Sequence, residues 1–133
     1  MTQTHLLPEG WKKPIGYSNG IVTEGKMIVL GGQIGWTADQ VFEAHTFLDQ
    51  FKQTLENIAV LLKEAGATPS HVVRLTWFIT DKKEYLANLK DVGRIYRSIF
   101  GTHYPAMSVV QVADLMEDNA KIEIEATAVI ESV

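Results

Sequence analysis

Strand and helix alternate along this 133-residue chain in the order β-β-α-β-α-β-β, which predicts a domain of mixed helix and strand. Three observations carry that reading. Two long segments repeat apolar residues at helical spacing. One β-branched and aromatic run is apolar at both parities, as in a strand with both faces covered. Strand–helix–strand crossovers, which fold right-handedly, put both helices on one sheet and most simply on one face.

The elements follow in order. Residues 1–16 are an irregular start, with Pro8, Gly10, Pro14 and Gly16. Asn19 to Thr23 is a strand and Glu24-Gly25-Lys26 a turn. Lys26 to Gln33 is a second strand, so the pair has the pattern of a hairpin. From Thr46 to Ala65 an amphipathic helix turns Phe47, Phe51, Leu55, Ile58 and Leu62 to one stripe, with Gly66 and Pro69 as its stop. His71 to Thr80 (HVVRLTWFIT) is the central strand. Asp81 and Glu84 then form a D-x-x-E capping pattern, opening a helix that turns Tyr85, Leu89, Val92, Tyr96 and Ile99 inward and ends at Gly101. After Pro105, Ala106 to Leu115 and Lys121 to Glu131 are strands joined by the turn Glu117-Asp118-Asn119. The last strand separates Ile122, Ile124, Ala126, Ala128 and Ile130 from Lys121, Glu123, Glu125 and Thr127.

No repeat, low-complexity stretch or linker divides the chain, so a single domain covers residues 1–133. Its helices cover one sheet face, yet the central strand is apolar on both. Another subunit is the natural lid, and the pattern predicts an obligate oligomer; a helix on each face would remove that need.

Composition narrows the function. A hydrophobic content of 46% supports a packed core. The net charge of −4 argues against binding a phosphate backbone, and Trp11, Trp36 and Trp77 do not cluster with lysines, so no nucleic-acid partner is expected. With no cysteine, disulfide scaffolds, thiolate nucleophiles, Cys-ligated zinc and iron–sulfur clusters are excluded. The opening MTQTHLLPEG has neither a basic n-region nor an apolar h-region, and no apolar run approaches the ~18 residues of a membrane span. The expectation is a cytoplasmic protein with no membrane partner.

Few residues stand out chemically. His5, His45, His71 and His103 have no metal-ligand spacing, so no metal is expected. No serine sits in G-x-S-x-G. Gly31 to Gly35 (GGQIG) lacks the Lys-Ser/Thr of a phosphate loop, but Gly31 and Gly32 indicate close approach of backbone or ligand. Lys90, Arg94 and Arg97 form a basic helical stripe, either a solvated face or an anion site. Arg74, inside an apolar strand, calls for a carboxylate partner in Glu123 or Glu125. Those glutamates share a face: turned to a cleft, one serves as general acid/base; turned to water, both are merely solvated.

Six segments then line up in order with one family: PIGYSNGI (Pro14 to Ile21), GGQIG (Gly31 to Gly35), LENI (Leu55 to Ile58), Thr80-Asp81, YPA (Tyr104 to Ala106) and IEIEA (Ile122 to Ala126). Together they resemble the Rid/YjgF family, from about Pro14 to Val129. The resemblance implies a chorismate-mutase-like α+β fold with a mixed sheet, assembled as a homotrimer with ligand clefts between subunits. It implies hydrolysis of 2-aminoacrylate and related enamines or imines to 2-keto acids and ammonia, without a cofactor. Tyr17 matches the family's site tyrosine and Glu123 its catalytic glutamate. Gly31, Met107 and Val109 fall at the remaining substrate-binding positions.

Here the chain departs from the pattern. Deaminating members read P-A-R where this chain reads Pro105-Ala106-Met107. The serine of S-G-Q is Gly31, and the position two beyond the arginine, often cysteine, is Val109. A thioether offers no charge and no bidentate fork. Removing one partner of a buried charge pair typically costs ~2–5 kcal/mol, on the order of 30- to several-thousand-fold in affinity. A short 2-imino acid should bind weakly unless Arg74, Arg94 or Arg97 reaches in. Members without the arginine share the fold and generally lack 2-aminoacrylate activity. The expected function is therefore an enamine/imine deaminase (a hydrolase) of altered specificity; the alternative is a non-catalytic trimeric metabolite-binding protein. Whether Trp36 or His103 lines the cleft stays open.

Overall fold

The computed structural model describes residues 3–131. Its main sheet has four strands: β3 (Lys26–Ile34), β4 (Val72–Ile79), β5 (Ala106–Gln111) and β6 (Ile122–Ile130), in the spatial order β3-β6-β4-β5. The β3–β6 and β6–β4 pairs are antiparallel, and β4–β5 is parallel. The helices are α1 (Phe47–Glu64), α2 (Lys82–Ala87) and α3 (Leu89–Phe100). A parallel pair needs a crossover, and α2 and α3 supply it. The α+β class with a mixed sheet agrees with the expectation.

Burial follows the two periodicities. On α1, Phe47, Phe51, Leu55, Ile58 and Leu62 are all buried, and they meet Leu75, Trp77 and Ile79 of β4 and Ile122, Ile124, Ala126 and Ala128 of β6. Thr46 caps α1 by accepting the Asp49 N–H at 3.1 Å. The opposite sheet face carries no helix and exposes Met27, Val29 and Val110 beside Arg74 and Glu125.

Three boundaries differ from expectation. The strand foreseen at Asn19–Thr23 shrinks to β2 (Ile21–Val22), which pairs not with β3 but with β1 (Thr4–His5), inside the stretch read as irregular. Gly25 is the cause. At φ 144° its backbone lies against the Ile130 carbonyl, where a Cβ would collide, and β3 is steered onto β6 instead of back along β2.

The helix foreseen from Asp81 to Gly101 breaks at Asn88 (φ −120°, ψ 19°), whose amide donates to the Glu84 carbonyl at 2.7 Å. The break rotates the inward face: Val92, Ile95, Tyr96 and Phe100 are buried, while Leu89 is exposed. Finally, β5 stops at Gln111 and is not a neighbour of β6, because β4 lies between them.

Two buried polar residues, Gln50 and Thr54, lay outside the apolar pattern, and Thr54 donates its hydroxyl to the Gln50 carbonyl at 2.7 Å. Gln50, 1% exposed, donates to the carbonyls of Ala44 (3.2 Å) and Asn119 (2.8 Å) and accepts the Lys121 N–H (2.8 Å). It ties the start of α1 to the approach to β6. Gly35 lets this happen: a Cβ there would stand 2.7 Å from the Gln50 Cα. Gln50→Ala should leave these backbone groups without partners and cost about 2–3 kcal/mol, lowering Tm by roughly 5–10 °C in calorimetry. Lys52→Ala, exposed on the same helix, should leave Tm unchanged.

Candidate functional site

Parallel pairing aligns Met107 with Leu75 and Val109 with Trp77, so both residues of β5 point to the helix side of the sheet. There they line a cavity of about 630 Å³ with Trp77 and with Tyr85, Val92, Gly93, Tyr96 and Arg97 of the crossover. The segment before β2 closes its near end: Ser18 bridges Ala106, its N–H donating to the Pro105 carbonyl at 3.0 Å, and this carries Ile15, Gly16 and Tyr17 to the rim. Tyr17 is 43% exposed. Three of the five predicted site residues, Tyr17, Met107 and Val109, therefore share one cavity.

Glu123 and Gly31 stand elsewhere. Glu123 pairs with Phe78 and Ile34 and lies on the helix-free face, half-buried. Its carboxylate rests over Gly32, where a Cβ would collide with it. The close approach that the glycine pair signalled is thus a side chain of the same sheet, at the register shift between Leu30 and Gln33. Gly31 is exposed, with nothing within 4 Å of where its Cβ would be. Glu123 is two strands over and three residues along from Met107, roughly 14 Å between Cα positions, and on the other face.

The arginines separate clearly. Arg74 is exposed on the helix-free face and sits opposite Thr127 in register, with Glu125 opposite Thr76. The expected ion pair with Glu123 or Glu125 does not form: with no layer over this face in the chain, the guanidinium is hydrated and needs no partner. Arg94 lies 3.5 Å from Asp91 within α3. Only Arg97 of the three enters the cavity. It folds back along its helix, and a Cβ on Gly93 would stand 3.0 Å from its Nη1.

Two of the cavity's phenols, Tyr85 and Tyr96, are pushed further from ionisation. Burial raises the Tyr85 phenol, and burial followed by neighbouring Tyr104 raises that of Tyr96, which donates to the His103 carbonyl at 2.6 Å. Trp77 is 2% exposed, and its indole Nε1 has no hydrogen-bond partner among the described residues. Trp77 and Tyr85 were not foreseen as site residues, and Arg97 stood as one of three arginines able to reach in. For Arg97 a signal existed, a glycine four residues upstream on the same helix face.

A second cavity, of about 860 Å³, lies across Tyr17 and Tyr104 and contains His5, Lys12, Lys13 and His103. His103 belongs here, and Trp36, packed on Phe42, lines neither. His103 donates Nε2–H to the Val72 carbonyl at 2.7 Å. Burial chiefly, with His5 and His71 adding, outweighs that bond and lowers its pKa from the ordinary 6.5. The unfolded chain then takes up the proton first, so stability falls as pH drops below about 6.5. Among variants, His103→Gln should flatten the loss of Tm between about pH 7.5 and about pH 5.5, as read by thermal melts across that range.

Among the described residues, no three His, Cys, Asp or Glu side chains converge as metal ligands, and no helix is long and apolar enough to cross a membrane.

Comparison with known proteins agrees with the fold. The family described as endoribonuclease L-PSP matches residues 12–130. A 2-iminobutanoate/2-iminopropanoate deaminase of Salmonella typhimurium is 34% identical over 108 residues, 79% of this chain and 80% of its own. Among solved structures, the Rid-family protein YyfB of Yersinia pestis, whose function is described as unknown, superposes with a TM-score of 0.86 at 31% identity, over 98% of this chain and 100% of that one. Escherichia coli TdcF, solved with bound serine, gives 0.69 at 33% identity over 92% of each chain. The agreement spans nearly the whole chain in sequence and in fold, and the chain belongs to the Rid/YjgF family.

Proposed function

We propose that the protein is a cytoplasmic, cofactor-independent enamine/imine deaminase whose specificity has moved away from 2-aminoacrylate. The observation that carries this reading is the division of the site residues between the two faces. Tyr17, Met107 and Val109 line the cavity under the β5 edge, and Glu123 stands over Gly32 on the far face. One chain cannot bring its own Glu123 to its own Met107. A second copy can present the glutamate face to the cavity edge, and the exposed Met27, Val29 and Val110 give the helix-free face a reason to be covered. A homotrimer with three clefts satisfies both demands.

The chemistry asks little of such a cleft. An enamine takes a proton at its β-carbon to become an iminium. Water adds to the iminium carbon, a carboxylate removes the water's proton and returns it to nitrogen, and the C–N bond breaks as the remaining hydroxyl proton passes to the carboxylate, releasing ammonia and a 2-keto acid. Glu123 is the group able to shuttle those protons, and Tyr17 can orient the substrate by its hydroxyl. Met107 supplies no charge for the carboxylate of a three-carbon substrate, so binding of 2-aminoacrylate is weak.

A metabolite-binding role without turnover is favoured by one specific fact, the methionine at position 107 where deaminating members carry the anchoring arginine. The two readings separate in one assay. With imino acids generated enzymatically in place, the deaminase reading expects ammonia release that falls about 100-fold or more in Glu123→Gln, with fold and a mass of three chains by light scattering unchanged. Saturable binding with no product would establish the binder instead. Met107→Arg should raise kcat/KM for 2-aminoacrylate by about 30-fold; brisk turnover of that compound by the native protein would overturn the specificity argument.

A further inference from the structure

The cavity under β5 holds one formal charge, and β5 does not supply it. Among the residues lining it there is no carboxylate and no lysine; Arg97 is the sole ion. The ion pair of α3 is taken by Arg94 and Asp91, and among the described residues Arg97 has no carboxylate partner. Its position is built. Residue 93 lies one turn earlier on the same helix and is glycine, although glycine inside a helix costs about 1 kcal/mol relative to alanine. A Cβ there would come to 3.0 Å from Arg97 Nη1, so the guanidinium would have to shift by a few tenths of an ångström to admit it.

Trp77 borders the same cavity and is 2% exposed; its Nε1 is buried, so the ring offers a ligand apolar surface and not a hydrogen bond. Between these two groups the walls are apolar or aromatic: Met107, Val109, Val92 and Tyr85. At about 630 Å³ the space exceeds what a three-carbon acid fills.

We propose that Arg97 of α3, folded back over Gly93, is the anion anchor of this cavity, and that its ligand is a 2-imino or 2-keto acid with a branched or aromatic side chain. The carboxylate meets the guanidinium at the rim, and the side chain lies against Met107, Val109 and the ring of Trp77. This rests on the cavity being the substrate half of the deaminase cleft, but binding tests it without turnover.

Calorimetry with stable 2-keto acids is the experiment, using 4-methyl-2-oxopentanoate, phenylpyruvate, pyruvate and the methyl ester of the first. The two larger acids should bind at least tenfold more tightly than pyruvate, and the ester at least tenfold more weakly than its acid. Arg97→Ala should remove about tenfold of acid affinity and leave ester binding unchanged; Arg97→Lys should restore part of it. Gly93→Ala is the decisive second variant, because it should raise Tm while weakening acid binding severalfold. Acid binding unaltered in Arg97→Ala, or an ester bound as well as its acid, would overturn the assignment. Arg97-dependent binding with no imine turnover would keep this assignment and remove the deaminase reading. Turnover with KM unmoved in Arg97→Ala would do the reverse.

Discussion

Everything about the candidate site depends on the parallel hydrogen-bonded pairing of β4 with β5. Parallel strands cannot be joined by a tight turn, so the chain between them must cross over the sheet, here as α2 and α3. The crossover roofs the β5 edge, and the register beneath it sets which β5 side chains look up at that roof. Leu75 opposite Met107 and Trp77 opposite Val109 put the thioether and the valine under α3. A slip of one residue would turn both to the helix-free face and bring Ser108 and Val110 into the cavity. The short bridge from Ser18 to Ala106 then fastens the Tyr17 segment to the start of the same strand.

Three glycines do related work at three places. Gly32 leaves room for the Glu123 carboxylate, Gly35 for the backbone of α1 at Gln50, and Gly93 for the Arg97 guanidinium. None of these has a positive φ, unlike Gly25 and Gly101. Their role is therefore clearance and not backbone freedom. At Gly32 and Gly35 the approach is too close for any side chain, while at Gly93 the arginine end would have to shift slightly. For Glu123 this lets the carboxylate lie down against the neighbouring strand instead of standing out from the sheet.

The fold was legible where periodicity was strong. The stripe on α1 and the alternation of β6 are direct consequences of repeats of 3.6 and 2 residues, and burial agrees with both. Legibility failed where a single residue overrode the pattern. Asn88 broke a helix by bonding to a carbonyl four residues back, and Gly25 sent β3 to a partner one hundred residues away in sequence. Strand neighbours were beyond reach for a related reason: β5 and β6 are adjacent in sequence, but which strand inserts between them is decided by tertiary packing. In the site, Tyr17, Met107 and Val109 were readable from motifs. That Glu123 lies on the opposite face follows from parity along β6 combined with a strand order that one-dimensional pattern does not contain.

The position of the cavity's charge has a consequence for the unliganded protein. A guanidinium on the inner side of β5 would stand among Trp77, Tyr85 and Val109, away from water, and would need a carboxylate whether or not a ligand were present. With methionine at that point the wall is apolar and stable by itself. Arg97, by contrast, projects from an exposed position at the rim, where water solvates it when no anion is bound. Such a charge contributes less to affinity than a fully desolvated one, since its hydration must be partly removed for a modest Coulombic gain. The remaining binding energy has to come from apolar contact, at about 25 cal/mol per Å² buried. A larger hydrophobic side chain is then a requirement of the site's electrostatics as well as of its volume.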